Sequence, residues 1–149
     1  MILALVYEGF FNCDIINHMN NIELIVRLII KRDSLILLCQ NNENKHYFLP
    51  GGHVEFGDSL IDTIYKELKE ETGLNKNQIK NIRYKDFLEN TYETDKGKHH
   101  ELNMIFTLDI EDNIEIKSQE DHISFEWVLI NELQDKNLLP REIISFCEE

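Results

Sequence analysis

Apolar and polar positions follow patterns that predict a chain of mixed strands and helices. The segment IELIVRLIIK at 22–31 is rich in β-branched residues, and LILLCQ at 35–40 repeats that character after the turn Arg32-Asp33-Ser34. The pair therefore predicts a β-hairpin. Polar residues at 41–46 predict a loop. Further strands are expected near 79–89, 101–110 and 123–130, with a hairpin tip at 95–98.

The segment between these strands predicts a capped helix. Asp58 or Ser59 can cap its first turn, and Gly73 supplies a left-handed stop after Thr72. An apolar stripe is expected to hold the helix on the sheet; its members are Ile61, Ile64 and Leu68. Short helices are expected near Glu132 and at 141–147. Strands and helices without regular βαβ alternation predict an α+β fold or a three-layer sandwich.

Three acids of the predicted helix carry its candidate chemistry. Glu67, Glu70 and Glu71 stand at i, i+3 and i+4, so they share one helical face. Grouped carboxylates repel one another, and a hard divalent cation such as Mg²⁺ compensates them through oxygen ligands. The alternative is an ordinary solvated face. Gly51-Gly52 before the helix favours the metal site, because glycine permits close approach of the backbone.

Composition narrows the class of protein. The 149 residues include 28 Asp and Glu against 15 Lys and Arg, a net charge of −13. Such a chain repels nucleic-acid backbones and anionic membranes, so we expect neither a duplex nor a membrane as partner. Three cysteines without CxxC spacing predict free thiols and a cytoplasmic location. Residues 1–18 are expected to form an extension of unknown role before one domain at 19–149.

The segment 52–74 resembles the Nudix box, Gx5Ex7REUxEExGU with U aliphatic. The matching positions are Gly52, Glu67, Leu68, Glu70, Glu71, Gly73 and Leu74. Asp58 replaces the usual Glu and Lys66 the usual Arg, and Lys is a weaker substitute for the planar fork of Arg. The approach YFLPGGHVEFGDS and the later FEWV at 125–128 also resemble this family. The resemblance implies an αβα sandwich with a mixed β-sheet.

The resemblance also implies a Mg²⁺-dependent hydrolase, with Mn²⁺ as a possible substitute. By analogy, Glu67, Glu70 and Glu71 are the catalytic residues and metal ligands, with either Glu67 or Glu71 as the general base. Gly51 is expected to add its carbonyl, and Glu120, ahead of Asp121, to add an acid from a later loop. The candidate substrate-binding residues are Arg27, Gly52 and Tyr92. His99-His100-Glu101 is not expected to bind zinc, since adjacent strand residues face opposite sides.

The substrate class that the resemblance implies is a nucleoside diphosphate linked to a group X. The stretch 89–106 resembles ADP-ribose pyrophosphatase-like members, which makes ADP-ribose, cleaved to AMP and ribose 5-phosphate, the first choice. Alternatives are a (d)NTP pyrophosphohydrolase, a dinucleoside polyphosphate hydrolase, which Tyr92 favours, and a non-catalytic module that senses nucleotides. A homodimer is possible.

Overall fold

The computed structural model describes residues 21–149, so the predicted extension at 1–18 lies outside the described residues. Seven strands form its sheet: β1 (Ile22–Arg32), β2 (Leu35–Asn41), β3 (Tyr47–Phe48), β4 (Gly51–His53), β5 (Ile79–Thr94), β6 (Gly97–Ile110) and β7 (Ile123–Leu129). Two α-helices accompany them: α1 (Leu60–Thr72) and α2 (Ile144–Glu148). Short 3-10 helices span Lys76–Gln78, Ile130–Asp135 and Arg141–Ile143.

The sheet is mixed. Its order is β3-β2-β1-β6-β5, with β4 on β1 and β7 on β2. Only β1 and β6 run parallel, and the other pairs are antiparallel. The predicted β1–β2 hairpin is present, but its strands pair only at Lys31–Ile36 and Arg32–Leu35. Beyond those two pairs β1 binds β4, so the sheet opens beside Gly51 and Gly52.

Two apolar clusters lie on opposite faces of the sheet. Alternate residues of β1, including Val26 and Leu28, pack with Ile64 and Leu68 of α1. Ile29 points to the other face and packs with the C-terminal segment that carries α2. Alternate side chains of β1 thus pack against helical layers on opposite faces of the sheet. This arrangement confirms the predicted α+β sandwich with a mixed sheet.

Helix α1 begins and ends where the sequence predicts. Ser59 caps it by accepting a hydrogen bond from the Asp62 N–H at 3.1 Å, and Gly73 ends it with φ 75°. The predicted apolar stripe is wrong at Ile61, whose side chain is 41% exposed in the first turn. A further correction concerns Glu71, which is only 6% exposed and lies on the packing face. The packing and acidic faces of α1 therefore overlap.

Other boundaries differ from the predicted ones. The hairpin β5–β6 is longer at both strands, because cross-strand pairing continues to Thr94 and Gly97 through polar residues. Strand β4 was not predicted, since a Gly-Gly-His segment has no strand pattern of its own. The helix expected near Glu132 is a 3-10 helix. Among residues 21–149, no helix is both long and apolar enough to cross a membrane.

Candidate functional site: a glycine pair, three carboxylates and a cleft

The site begins where β4 meets helix α1. Gly51 pairs with Arg27, has φ 137°, and a Cβ there would overlap the Val26 carbonyl oxygen. A Cβ on Gly52 would overlap the carboxylate of Glu67. Both positions therefore need glycine for close approach. The glycine pair brings the backbone of β4 directly against the acidic side chains of α1.

Glu71 is the most deeply buried acid of the helix. Its Oε2 accepts a hydrogen bond from the Gly51 N–H at 3.3 Å. Burial is the main cause that raises the pKa of Glu71 to about 8, and the charges of Glu67 and Glu120 act in the same direction. The Gly51 N–H opposes the shift. Little of this carboxylate reaches water, so the Gly51 N–H is its main hydrogen-bond donor.

Glu67 shares that environment in part. Its side chain is half-buried, and burial raises its pKa, with the neighbouring charge of Glu70 as the next cause. Glu70 itself is exposed. Within residues 21–149, no three Asp, Glu, His or Cys side chains are gathered tightly enough to hold a metal ion. The structure thus brings Glu67 and Glu71 to the glycine pair and leaves Glu70 at the rim.

A later loop adds the predicted fourth acid. The Gln119 N–H donates to the Glu71 carbonyl at 2.8 Å, which ties this loop to the C-terminal turn of α1. The charge of Glu120 raises the pKa of both Glu67 and Glu71. Glu120 also lies 3.2 Å from Nε2 of His122. Asp121, the second candidate, is exposed. The charge of Glu120 thus acts on the site, and its role as a metal ligand stays a prediction.

The two departures from the box lie on its outer side. Lys66 forms an ion pair with Glu55 at 3.1 Å, and both side chains are largely solvated. The Asp58 N–H closes a turn on the Glu55 carbonyl at 3.0 Å. An exposed pair of this kind adds little to stability, because water and salt screen it. Lys66 thus pairs with the loop before α1, and its charge partly opposes the rise in the pKa of Glu67.

A cleft of about 670 Å³ opens on the face of β1 that carries Arg27. The guanidinium donates through Nε to Asn103 Oδ1 at 3.0 Å and through Nη1 to the Leu49 carbonyl at 3.5 Å, and it lies 6.0 Å from the centre of the Phe48 ring. Desolvation lowers the pKa of Arg27, while the charges of Glu101 and Glu71 oppose that shift. Arg27 is thus a cation placed between the acids of α1 and the cleft.

One wall of the cleft is polar. Glu101 is 6% exposed and accepts hydrogen bonds from the Tyr92 hydroxyl at 2.9 Å and from Asn103 Nδ2 at 3.2 Å. Burial and the bond to Glu101 raise the pKa of Tyr92 to about 12, so its phenol stays a donor. Tyr92 also stacks on His99, with ring centres 4.8 Å apart. Tyr92 therefore lines the cleft, and its role in binding substrate stays a prediction.

Two histidines meet at Glu23 on the cleft edge. His53 Nε2 and His99 Nδ1 each lie 2.9 Å from a different oxygen of this carboxylate. Both hydrogen bonds lower the pKa of Glu23. His100 points to the other side of the sheet, where it meets Glu89 at 2.7 Å. The two neighbouring histidines thus face opposite sides, as the strand argument predicts.

Sequence reasoning missed the polar residues that build this wall and its edge. Glu101 and Asn103 are buried polar residues of β6, and Glu23 is a half-buried residue of β1. On β6, His99, Glu101 and Asn103 occupy one face while Leu102 and Met104 occupy the other. That alternation of period two was visible in the sequence. The alternation does not reveal that β1 and β6 pair in parallel, and this pairing brings the two strands together.

Comparison with known proteins places this site in a family. The profile of the NUDIX domain matches residues 23–146. An ADP-ribose pyrophosphatase of Methanocaldococcus jannaschii is 31% identical over 108 residues, which cover 70% of this chain and 60% of that protein. The chain thus spans less than two thirds of the length of that relative.

Solved structures share the fold. MutT protein from Bacillus halodurans is 24% identical, with a TM-score of 0.64 over 83% of this chain and 80% of that one. The NUDIX domain of NrtR from Shewanella oneidensis, solved in complex with ADP ribose, is 15% identical, with a TM-score of 0.66 over 93% and 96%. The chain belongs to the NUDIX domain family, which confirms the resemblance drawn from residues 52–74.

Proposed function

We propose that this chain hydrolyses the diphosphate of a nucleoside diphosphate linked to X, with ADP-ribose as first substrate and AMP and ribose 5-phosphate as products. One observation carries the proposal. Glu67 and Glu71 lie against the backbone of Gly51 and Gly52, on the sheet that also bears the Arg27 cleft. The carboxylates that could hold a metal ion and the guanidinium of Arg27 that could bind a phosphate thus lie in one region.

The donor atoms at the site suit a hard divalent cation, although within residues 21–149 no three acids are already gathered around one point, so binding would have to draw the carboxylates together. All candidate donors are oxygens, which Mg²⁺ and Mn²⁺ prefer. The Glu67 carboxylate occupies the space that a Cβ on residue 52 would need, so this side chain lies directly against the backbone of Gly52. Burial is the main cause that raises the pKa of Glu67 and of Glu71, and the charges of neighbouring acids add to it, so a bound cation would favour the ionised form of both groups. Glu67, Glu70, Glu71 and Glu120, with the Gly51 carbonyl, are the proposed ligands.

When bound, Mg²⁺ lowers the pKa of water and screens the charge of the diphosphate. The remaining roles belong to the chain. Glu71 is fixed by the Gly51 N–H and buried, which suits a ligand held in one position. Glu67 is half-buried and reaches water more readily, so we assign to it the proton of the attacking water. Arg27 binds a phosphate oxygen through guanidinium N–H groups that face the cleft.

The name of a similar protein supports ADP-ribose as the proposed substrate. A protein named ADP-ribose pyrophosphatase aligns with 70% of this chain at 31% identity. The cleft also offers an aromatic end, where Phe48 and His46 lie 5.8 Å apart, that suits a nucleobase. The competing (d)NTP reaction uses the same acids and releases pyrophosphate. The products therefore separate the two substrate classes.

The test is product analysis with purified protein and Mg²⁺. We expect AMP and ribose 5-phosphate from ADP-ribose, loss of turnover in Glu71→Gln, and full turnover in Glu132→Gln, an exposed acid distant in sequence. Pyrophosphate and a monophosphate from a dNTP, with ADP-ribose intact, would reject the first substrate. Binding of ADP-ribose by calorimetry without any turnover would instead identify a sensing module.

A further inference from the structure

Glu101 has more hydrogen-bonding capacity than its neighbours use. A carboxylate offers about four acceptor positions and no donor. Tyr92 and Asn103 occupy two of them at 2.9 and 3.2 Å, and Asn90 Nδ2 approaches only to 3.5 Å. All three donors are neutral. The side chain lines the cleft, so its remaining acceptor capacity is available to a ligand.

The surroundings of Glu101 differ from the other end of the cleft. Phe48, His46 and Pro140 give that end flat or apolar surfaces. The Glu101 end carries amides, a phenol and a carboxylate, which match a group with several hydroxyls. One face of Tyr92 is already covered by His99, which leaves its hydroxyl and the Glu101 oxygens as the polar contact points.

Arg27 lies between these two ends. It contacts Phe48 on one side and, through Asn103, reaches Glu101 on the other. The cleft therefore combines an aromatic surface, the cation of Arg27 and the acceptor Glu101, and a second cation, Arg141, lines it beside Pro140. A nucleoside diphosphate attached to a sugar presents the chemical groups that match these surfaces: base, phosphates, hydroxyls.

We propose that Glu101, oriented by Tyr92 and Asn103, is a specificity-determining residue that accepts hydrogen bonds from the hydroxyls of a substrate pentose. The inference rests on the proposed hydrolase function and deepens it. A pentose occurs twice in ADP-ribose, in the nucleoside and at the terminus, and both carry the same vicinal diol. Glu101 is 6% exposed, so a site built around it strongly disfavours a ligand without the hydroxyl.

Three substrates distinguish the two sources. They are ADP-ribose, its analogue with a 2′,3′-dideoxyadenosine, and the methyl ester of ADP, which lacks the terminal ribose. We expect Glu101→Gln to lower kcat/KM for ADP-ribose by about tenfold or more. If Glu101 binds the terminal ribose, the loss persists with the dideoxy analogue and vanishes with the methyl ester. If Glu101 binds the nucleoside ribose, the loss vanishes with the dideoxy analogue and persists with the methyl ester.

A matched control exists on the same hairpin. Glu89→Gln changes an exposed glutamate that pairs with His100 on the opposite face, and it should leave all three values of kcat/KM unchanged. Tyr92→Phe keeps the Glu101 charge and removes the hydroxyl that orients it. This second variant should show the same substrate pattern with a smaller loss, and it tests the inference if Glu101→Gln does not fold.

The outcomes separate the two levels of the proposal. An equal loss with all three substrates would mean that Glu101 supports the fold or reads the adenine, and would overturn the inference while leaving the hydrolase function intact. The inference is also overturned if neither variant changes any rate. If the wild-type protein cleaves none of the three compounds, the proposed function itself is wrong and the inference fails with it.

Discussion

Glu71 carries a conflict between stability and function at the scale of one residue. Its carboxyl is buried, and its pKa is raised to about 8 from the ordinary value of 4.5. Between these values the folded chain holds a proton that the unfolded chain has released. The stability linked to this group is therefore complete below about pH 4.5 and is lost as pH rises through about 8.

We predict that Glu71→Gln raises the melting temperature of the metal-free protein. The neutral amide keeps the volume and removes the buried charge, so the gain over wild type should grow from pH 5 to pH 8.5 and reach several degrees. Melting curves in EDTA across that range measure it. Glu132→Gln, on an exposed acid, should follow the wild type. Parallel curves for Glu71→Gln and wild type would contradict the burial argument.

Gly52 gives a second prediction at this scale. A Cβ there overlaps the Glu67 carboxylate, so Gly52→Ala must push that side chain aside. A displacement of about 1 Å at a reacting group lowers activity roughly 10²-fold. We expect this loss in kcat/KM with a folded protein by circular dichroism.

Gly57→Ala is the matched comparison for Gly52→Ala. It lies five positions later, in the loop between β4 and α1, at φ 95° with nothing within 4 Å of a Cβ built there. Backbone strain should lower its stability by about 1 kcal/mol while activity stays near wild type. Equal activity in Gly52→Ala and wild type would show that the position of Glu67 is not critical.

At the scale of elements, helix α1 shows what sequence can predict. Its cap at Ser59, its stop at Gly73 and the register of its acids follow from local chemistry, and the structure has the cap and stop at those positions. The deep burial of Glu71 does not follow, because it depends on β4 crossing beneath the helix. Strand β4 is three residues long and is defined by pairing with β1.

The polar wall of the cleft is a similar case. Residue type and alternation place Glu101 and Asn103 on one face of β6, but their proximity to Arg27 depends on the parallel pairing of β1 and β6. Paired residues of those strands are 78 positions apart in the sequence, so no local pattern reports their contact. The sequence identified Arg27 and Tyr92 as candidate substrate-binding residues. The fold brings Asn103 and Glu101 within hydrogen-bonding distance of them.

Asn103 tests whether β6 is stabilised by this network. The residue is fully buried and links Arg27 at 3.0 Å to Glu101 at 3.2 Å. Asn103→Leu removes both bonds and leaves Arg27 and Glu101 each with one partner fewer, which should lower the free energy of unfolding by about 1–3 kcal/mol. Urea titration measures the change. Asn77→Leu, at an exposed position, should stay within about 0.5 kcal/mol of wild type, and a similar value for Asn103→Leu would contradict the network.

At the scale of the whole molecule, the net charge of −13 makes cation binding a property of the fold as well as of one site. Any salt screens the repulsion among surface acids, so a rise in stability with Mg²⁺ alone does not demonstrate a site. A specific site adds stability by mass action, about 1.4 kcal/mol when the free ion is at ten times its dissociation constant. For a chain of this length that corresponds to roughly 3–6 °C in melting temperature.

We therefore predict that Mg²⁺ raises the melting temperature by several degrees beyond NaCl of equal ionic strength. The excess should grow from pH 6 to pH 8, because Glu71 retains a proton up to about pH 8 and the metal must displace it. The double variant Glu67→Gln/Glu71→Gln should lose the excess and keep the response to NaCl, whereas Glu132→Gln should keep both. An equal effect of the two salts on the wild-type protein, or an excess that survives in the double variant, would mean that the ion binds to the acidic surface at large rather than beside the glycine pair.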